Sequence, residues 1–206
     1  MPGAFLVPEG VPVYDDEGPP PPVGLVPVDG RGSMPFALLH GESLVAVASW
    51  VLGGAGVRLM DFTADWSDVR AQDGALVIHD PLCAGTPVTF LLEALRVAAE
   101  GDAVVVGVRP VTDTVKAVDG HDVIGPTHDR AALHAVTSPV VLPPAVLAAL
   151  TEPPATDDLA DLVTALAEHH DVVFLEAPPS ARRVSDESDV RLLEAIADPR
   201  RPTDNP

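Results

Sequence analysis

The chain has 206 residues, 47% of them hydrophobic, which suits one ordinary domain with a sizeable core and excludes a disordered chain. Twelve Lys and Arg stand against 31 Asp and Glu, and the net charge of −19 repels nucleic acid and anionic membrane surfaces. Cys83 is the only cysteine, no apolar run approaches the roughly 20 residues of a membrane helix, and no secretory leader is visible. A cytoplasmic protein in a reducing compartment is therefore expected, with no nucleic-acid partner and no membrane partner.

Residues 1–22 are rich in proline and acid and end in GPPPP, a composition that favours polyproline II and supplies no ladder donors, so a tail is expected there. Short β-branched runs follow at 23–28 (VGLVPV), 74–80 (GALVIHD), 103–111 (AVVVGVRPV) and 171–177 (DVVFLEA), each bounded by Gly, Asp or Pro, and read as buried strands. Helical periodicity lies between and after them. In 86–100 Thr86 is the expected N-cap, Pro87 suits the first turn, and Leu91, Leu92 and Leu95 share a face. In 156–170 Thr156 is the expected cap, with Leu159, Leu162, Val163 and Leu166 at i, i+3, i+4, i+7. A last helix is expected to be capped by Ser185 and to carry Val190, Leu193 and Ile196 inward, before a second tail at 198–206. Alternating strands and helices imply an α/β fold over 23–197, a doubly wound and mostly parallel sheet with helices on both faces.

In such a sheet ligands bind beyond the C-terminal strand ends. After the first run comes Asp29-Gly30-Arg31-Gly32-Ser33, where glycines can bring backbone N–H groups to a phosphate or form only a turn. After the second comes Asp80, either a Mg²⁺ ligand or a turn cap. After the third comes a hairpin-like excursion with Thr112, Thr114, Lys116, the only lysine of the chain, and Arg130, an assortment suited to clamping an anion. His169-His170 read as a helix C-terminal cap, and the seven histidines show no zinc-binding spacing. No G-x-S-x-G elbow is present for a hydrolase.

The segments PVTDTVKAVDG, THDRAALHAVTSP, TDDLADLV and ARRVSDESDVRLLEAI resemble, in order and approximate spacing, the second half of the 2-C-methyl-D-erythritol 4-phosphate cytidylyltransferase family. The match runs from about Ala75 to Ala197 and is thinner at 23–44. The resemblance implies a nucleotidyltransferase (Rossmann-like) fold and a homodimer, whose protruding β-arm, here about 110–133, reaches the other subunit's site. It implies CTP, Mg²⁺ and a phosphorylated polyol as ligands, with the acceptor phosphate attacking the α-phosphate of CTP and pyrophosphate leaving, a step of non-mevalonate isoprenoid biosynthesis. By this resemblance Asp80 contacts the metal and Arg183 the α-phosphate. Gly30, Arg31, Gly32 and Ser33 form the CTP loop, and Thr114, Lys116, Arg130 and Ser138 hold the acceptor.

Departures from the family pattern are concentrated on the nucleotide side. Met34 and Phe36 stand where the glycine loop of the family carries an arginine and a lysine, Cys83 replaces the arginine of H-D-A-A-R-P, and Arg183 replaces a lysine. Ser180 and Ala181 replace an acid and an asparagine, and Ser138-Pro139-Val140 replaces T-P-Q. The stretch between Gly41 and Asp80 is short by about one βα unit, with 53–58 (GGAGVR) in place of the base-reading segment. Removing preorganised cations from a phosphoryl-transfer site costs orders of magnitude in rate, so impaired cytidylyl transfer is expected. The alternative is a non-catalytic relative acting as a regulatory or partner-binding dimer.

Overall fold

The computed structural model describes residues 20–60, 65–118, 120 and 123–197; of the tails expected at 1–22 and 198–206, residues 1–19 and 198–206 lie outside the described residues. In chain order the elements are β1 (Val23–Leu25), β2 (Leu38–Leu39), β3 (Glu42–Ser43), α1 (Leu44–Gly54), β4 (Arg58–Leu59), α2 (Trp66–Arg70), β5 (Leu76–Ile78) and α3 (Val88–Gly101). They continue with β6 (Val104–Pro110), β7 (Lys116–Val118), β8 (Ile124–Thr127), β9 (His134–Leu142), α4 (Pro144–Ala149), α5 (Leu159–Ala167), β10 (Val172–Glu176) and α6 (Glu187–Ala197). Single 3₁₀ turns lie at Met34–Phe36, Pro81–Cys83, Arg130–Ala132 and Pro179–Ala181.

Six strands form one sheet in the order β10-β6-β9-β5-β1-β4. The β1/β4, β1/β5 and β6/β10 pairs are parallel, while β9 runs antiparallel to both β5 and β6. Sequence periodicity explains the layering, because successive strand residues point to opposite faces. Leu76, Ile78, Val104, Val106, Val140 and Leu142 face α4 and α5, packing with Leu147, Leu162 and Leu166. Val77, Val105 and Val141 face the other way, against Leu52 of α1 and Leu91, Ala94 and Ala98 of α3. Both faces are therefore covered, which is why these strands read as continuous apolar runs.

Helix starts depart from the sequence expectation by one turn or less, each for a stated local reason. Asp158, not Thr156, caps α5, its Oδ1 accepting from Ala160 N at 2.7 Å and Asp161 N at 3.4 Å. Asp186 stands just before α6 and accepts from the amides of Ser188 (2.8 Å) and Asp189 (3.0 Å), the cap role expected of Ser185; the Ser185 amide donates to Asp189 Oδ2 at 2.9 Å. Thr86 donates its hydroxyl to the Cys83 carbonyl at 2.7 Å instead of capping α3, whose cap position is Pro87. A carboxylate outcompetes a neighbouring hydroxyl as a cap because it accepts more strongly and complements the helix dipole.

The chain leaves β1 toward β4 on one side and returns to β5 on the other, so the C-terminal ends of β1 and β5 flank a topological switch point. A third apolar cluster joins Leu39 and Leu44 to Leu82, Val184, Val190 and Leu193, docking α6 and the segment before it over those strand ends. Beyond β6 the chain forms a hairpin of β7 and β8 before returning as β9. Among the described residues no helix is long and apolar enough to cross a membrane.

Candidate active site

Asp80 stands two residues past the end of β5 and is buried, and its carboxylate is the centre of the site. Oδ1 accepts from Arg31 Nε and from the Leu82 amide, each at 2.9 Å. Oδ2 accepts from Arg31 Nη2 at 3.3 Å and Arg183 Nε at 3.2 Å. The parallel pairing of β1 and β5 sets their C-terminal ends side by side, which brings Arg31 to a carboxylate 49 positions away.

Arg31 is buried and four of its five N–H donors go to the protein itself: besides the two bonds to Asp80, Nη1 donates to the Asp29 carbonyl at 2.6 Å and Nη2 to the Thr156 carbonyl at 2.8 Å. The loop turns at Gly30 (φ +74°) and Gly32 (φ +56°), left-handed positions that favour glycine. A Cβ on Gly30 would lie 3.1 Å from the Asp157 Cβ, so the loop is seated against the segment leading to α5. Ser33 is exposed and its side chain caps nothing in the following turn. Phe36 is 62% exposed, and Met34 packs beside the Leu39 and Leu44 cluster.

Arg183 arrives from the other end of the chain. The Val184 amide donates to the Leu82 carbonyl at 2.8 Å, and Gly85 lets the Ser180 carbonyl and Leu193 approach where a side chain would collide. The Arg183 side chain keeps 44% of its surface exposed and lines, with Asp80, Cys83, Thr137, Asp158 and Leu159, a cavity of about 290 Å³. Burial, reinforced by the Asp80 charge, pushes the Cys83 thiol well above its ordinary range, so it sits there as a neutral group.

Ser138 is fully buried behind the carboxylate. Its Oγ accepts the Asp80 amide at 2.9 Å and lies 2.6 Å from His79 Nδ1, so it braces the strand end instead of facing the cavity. Desolvation holds the His79 imidazole down at about 4 against a smaller opposing pull from Asp80. Thr114, Lys116 and Arg130 are carried on the excursion between β6 and β9 and are exposed. Arg130 donates Nη1 to the Thr112 carbonyl at 3.0 Å. Arg58, at the end of the 53–58 segment, donates to Gln72 Oε1 on the surface. The residue that sequence reasoning left out of the site is Asp158, read with Asp157 only as an acid at the positive end of its helix; it caps α5 and lines the cavity.

The residues around Asp80 do not fit a Mg²⁺ ion as the side chains stand. An ionised carboxylate offers about four lone-pair sites, and donors from Arg31, Arg183 and Leu82 occupy them. Among the described residues no group of three or more His, Cys, Asp or Glu side chains converges as a metal-binding set.

This geometry can be set beside known proteins. The sequence profile of the family "IspD: 2-C-methyl-D-erythritol 4-phosphate cytidylyltransferase" matches residues 45–197. The chain belongs to that family. The 2-C-methyl-D-erythritol 4-phosphate cytidylyltransferase of Nocardia farcinica is 37% identical over 166 residues, covering 80% of this chain and 69% of that protein. The namesake from Corynebacterium efficiens is 33% identical over 156 residues, covering 73% and 62%. The chain thus spans roughly two thirds of the length of these relatives. Among solved structures, the Thermus thermophilus cytidylyltransferase superposes with a TM-score of 0.59 at 20% identity, covering 85% of this chain and 97% of that one. A structure of 4-diphosphocytidyl-2C-methyl-D-erythritol synthase gives 0.62 at 14% identity, covering 86% and 99%. These likenesses establish the nucleotidyltransferase-type α/β fold of the cytidylyltransferase family for this chain.

Proposed function

We propose that this family member transfers a cytidylyl group from CTP to 2-C-methyl-D-erythritol 4-phosphate in isoprenoid biosynthesis, working as a cytoplasmic homodimer. The observation that carries the reading is the half-exposed Arg183 guanidinium, held by Asp80 on the wall of a cavity at the sheet's switch point. In this reading the Gly30–Ser33 loop lies along the triphosphate and Arg183 neutralises the α-phosphate as the acceptor oxygen bonds to phosphorus and the bond to pyrophosphate breaks. Thr114, Lys116 and Arg130, on an exposed hairpin-bearing arm, would hold the acceptor phosphate in the site of the second subunit. The family depends on a divalent cation, for which we take Mg²⁺. Asp80, with both oxygens engaged, offers that ion no ligand.

A second reading is favoured by one specific observation. The glycine loop presents no free cation, because Arg31 is buried on Asp80 while Met34 and Phe36 are apolar. A chain that keeps the fold and the acceptor arm without triphosphate chemistry would serve as a regulatory or partner-binding dimer. Pyrophosphate release decides between the two, measured on purified protein with CTP, methylerythritol phosphate and Mg²⁺ beside ATP, GTP and UTP, with Asp80→Ala as control. Release that needs CTP and Asp80 establishes the enzyme. Silence from a folded protein with every nucleotide establishes the non-catalytic relative.

A further inference from the structure

The charged groups that meet at Asp80 are not equivalent. Arg31 is locked: its side chain is 1% exposed, and its guanidinium bridges the Asp29 carbonyl, the Asp80 carboxylate and the Thr156 carbonyl, joining the glycine loop, the end of β5 and the approach to α5. Among the described residues Arg183 is held at one point, through Nε, and it is half-exposed on the cavity wall. Two guanidinium groups converge on the Asp80 carboxylate, while the second carboxylate of the cavity wall, Asp158, turns its Oδ1 to the Ala160 and Asp161 amides of α5. The Asp80 oxygens have no lone pair to spare, since each accepts two donors.

We propose that Asp80 is a positioning residue, not a metal ligand: fixed in place by Arg31, it orients Arg183 as the site's anion receptor and itself gives no direct ligand to a divalent cation there. Arg31 takes over the anchoring, and its charge is spent on Asp80 instead of on a bound phosphate. Arg183, with its Nη1 and Nη2 groups directed to no protein partner among the described hydrogen bonds, receives the phosphoryl oxygens by charge-assisted hydrogen bonds. The inference rests on the reading of this cavity as a phosphoryl site, but its tests require binding and reactivity only, so they stand or fall separately from cytidylyl transfer.

Two measurements on the full-length wild-type chain test it. Arginine-directed dicarbonyl modification, mapped by mass spectrometry, is expected to label Arg183 and spare Arg31. Inorganic pyrophosphate as the probe is expected to slow labelling of Arg183 by about tenfold, the protection given by a ligand at roughly ten times its Kd. Mn²⁺ titration followed by electron paramagnetic resonance, without nucleotide, is expected to show no stoichiometric site. In Asp80→Asn, Arg183 is expected to label faster than in the wild type because its tether is lost, a change that Ser138→Ala, a variant of the brace behind it, should not reproduce to the same extent. One equivalent of Mn²⁺ bound by the wild type and lost in Asp80→Asn would overturn the proposal. So would equal labelling of Arg31 and Arg183, or pyrophosphate that leaves Arg183 labelling unchanged. Should Asp80→Asn fail to fold, the two wild-type measurements decide alone.

Discussion

Ser138 Oγ lies 2.6 Å from His79 Nδ1 while accepting the Asp80 amide at 2.9 Å, so one buried hydroxyl ties β9 to the strand end that presents the central carboxylate. Removing that hydroxyl leaves a buried amide and an imidazole nitrogen unpaired, each of which costs about 1–3 kcal/mol. Ser138→Ala is therefore expected to destabilise the fold by about 2–4 kcal/mol in urea titration. A loss below about 0.5 kcal/mol would show that the two groups find other partners.

The same histidine makes stability depend on pH. Its folded value of about 4 lies below the ordinary 6.5, so above pH 6.5 it is neutral in both states and contributes no slope. As pH falls from 6.5 toward 4 the unfolded chain takes up a proton that the folded chain refuses, and stability drops by up to about 1.4 kcal/mol per pH unit, roughly 3 kcal/mol in all. Below the folded value both states are protonated and this contribution levels off. His79→Gln should flatten the unfolding free energy over that window; an unchanged pH slope in the variant would remove His79 as its source.

Gly30 tests the seating of the loop. Its φ of +74° and the 3.1 Å approach to Asp157 predict that Gly30→Ala costs about 1–3 kcal/mol from the left-handed strain and the displaced loop. Because Arg31 follows directly, dicarbonyl labelling of Arg31 should rise in the same variant. Labelling that stays absent would mean the loop yields without releasing Asp80.

Arg130 is exposed and its described bond goes to the Thr112 carbonyl within its own arm. Arg130→Ala is thus expected to leave global stability within about 0.5 kcal/mol while abolishing calorimetric binding of methylerythritol phosphate. Unchanged binding would show that the arm's cation is structural only.

On the nucleotide side, Phe36 has room for a long cationic side chain, being 62% exposed. Met34→Arg with Phe36→Lys is expected to raise CTP affinity by about tenfold or more, since each added charge-assisted contact contributes about 1.5–3 kcal/mol at best. No change in affinity would mean that the triphosphate does not lie along this loop.

Much of the fold was legible because strand and helix periods report local burial. The runs at Leu76–Ile78, Val104–Pro110 and Val172–Glu176 are strands, and the face of α5 formed by Leu159, Leu162, Val163 and Leu166 is buried as its spacing requires. What the residue pattern did not reveal was β9, a nine-residue strand within a stretch recognised by its motifs, and the antiparallel wedge it drives between β5 and β6. Helix α1 was missed as well, since its small and apolar residues have no polar face to mark a period.

By itself the sequence determined the acidic, single-cysteine character of the chain, the alternation of strands and helices, and the ordered motifs that carry family membership, all properties of neighbouring residues or of their order. Only the tertiary structure decided how the site residues divide their labour. Arg31, read as part of a nucleotide loop, is withdrawn onto Asp80; Ser138, read with the acceptor, becomes a brace behind it; and Arg183 keeps a half-exposed face on the cavity. The physical reason is that a charged side chain's role is set by whichever partner reaches it first in space. For Arg31 that partner lies 49 positions away, brought within 2.9 Å by the parallel pairing of two strands that no local pattern specifies.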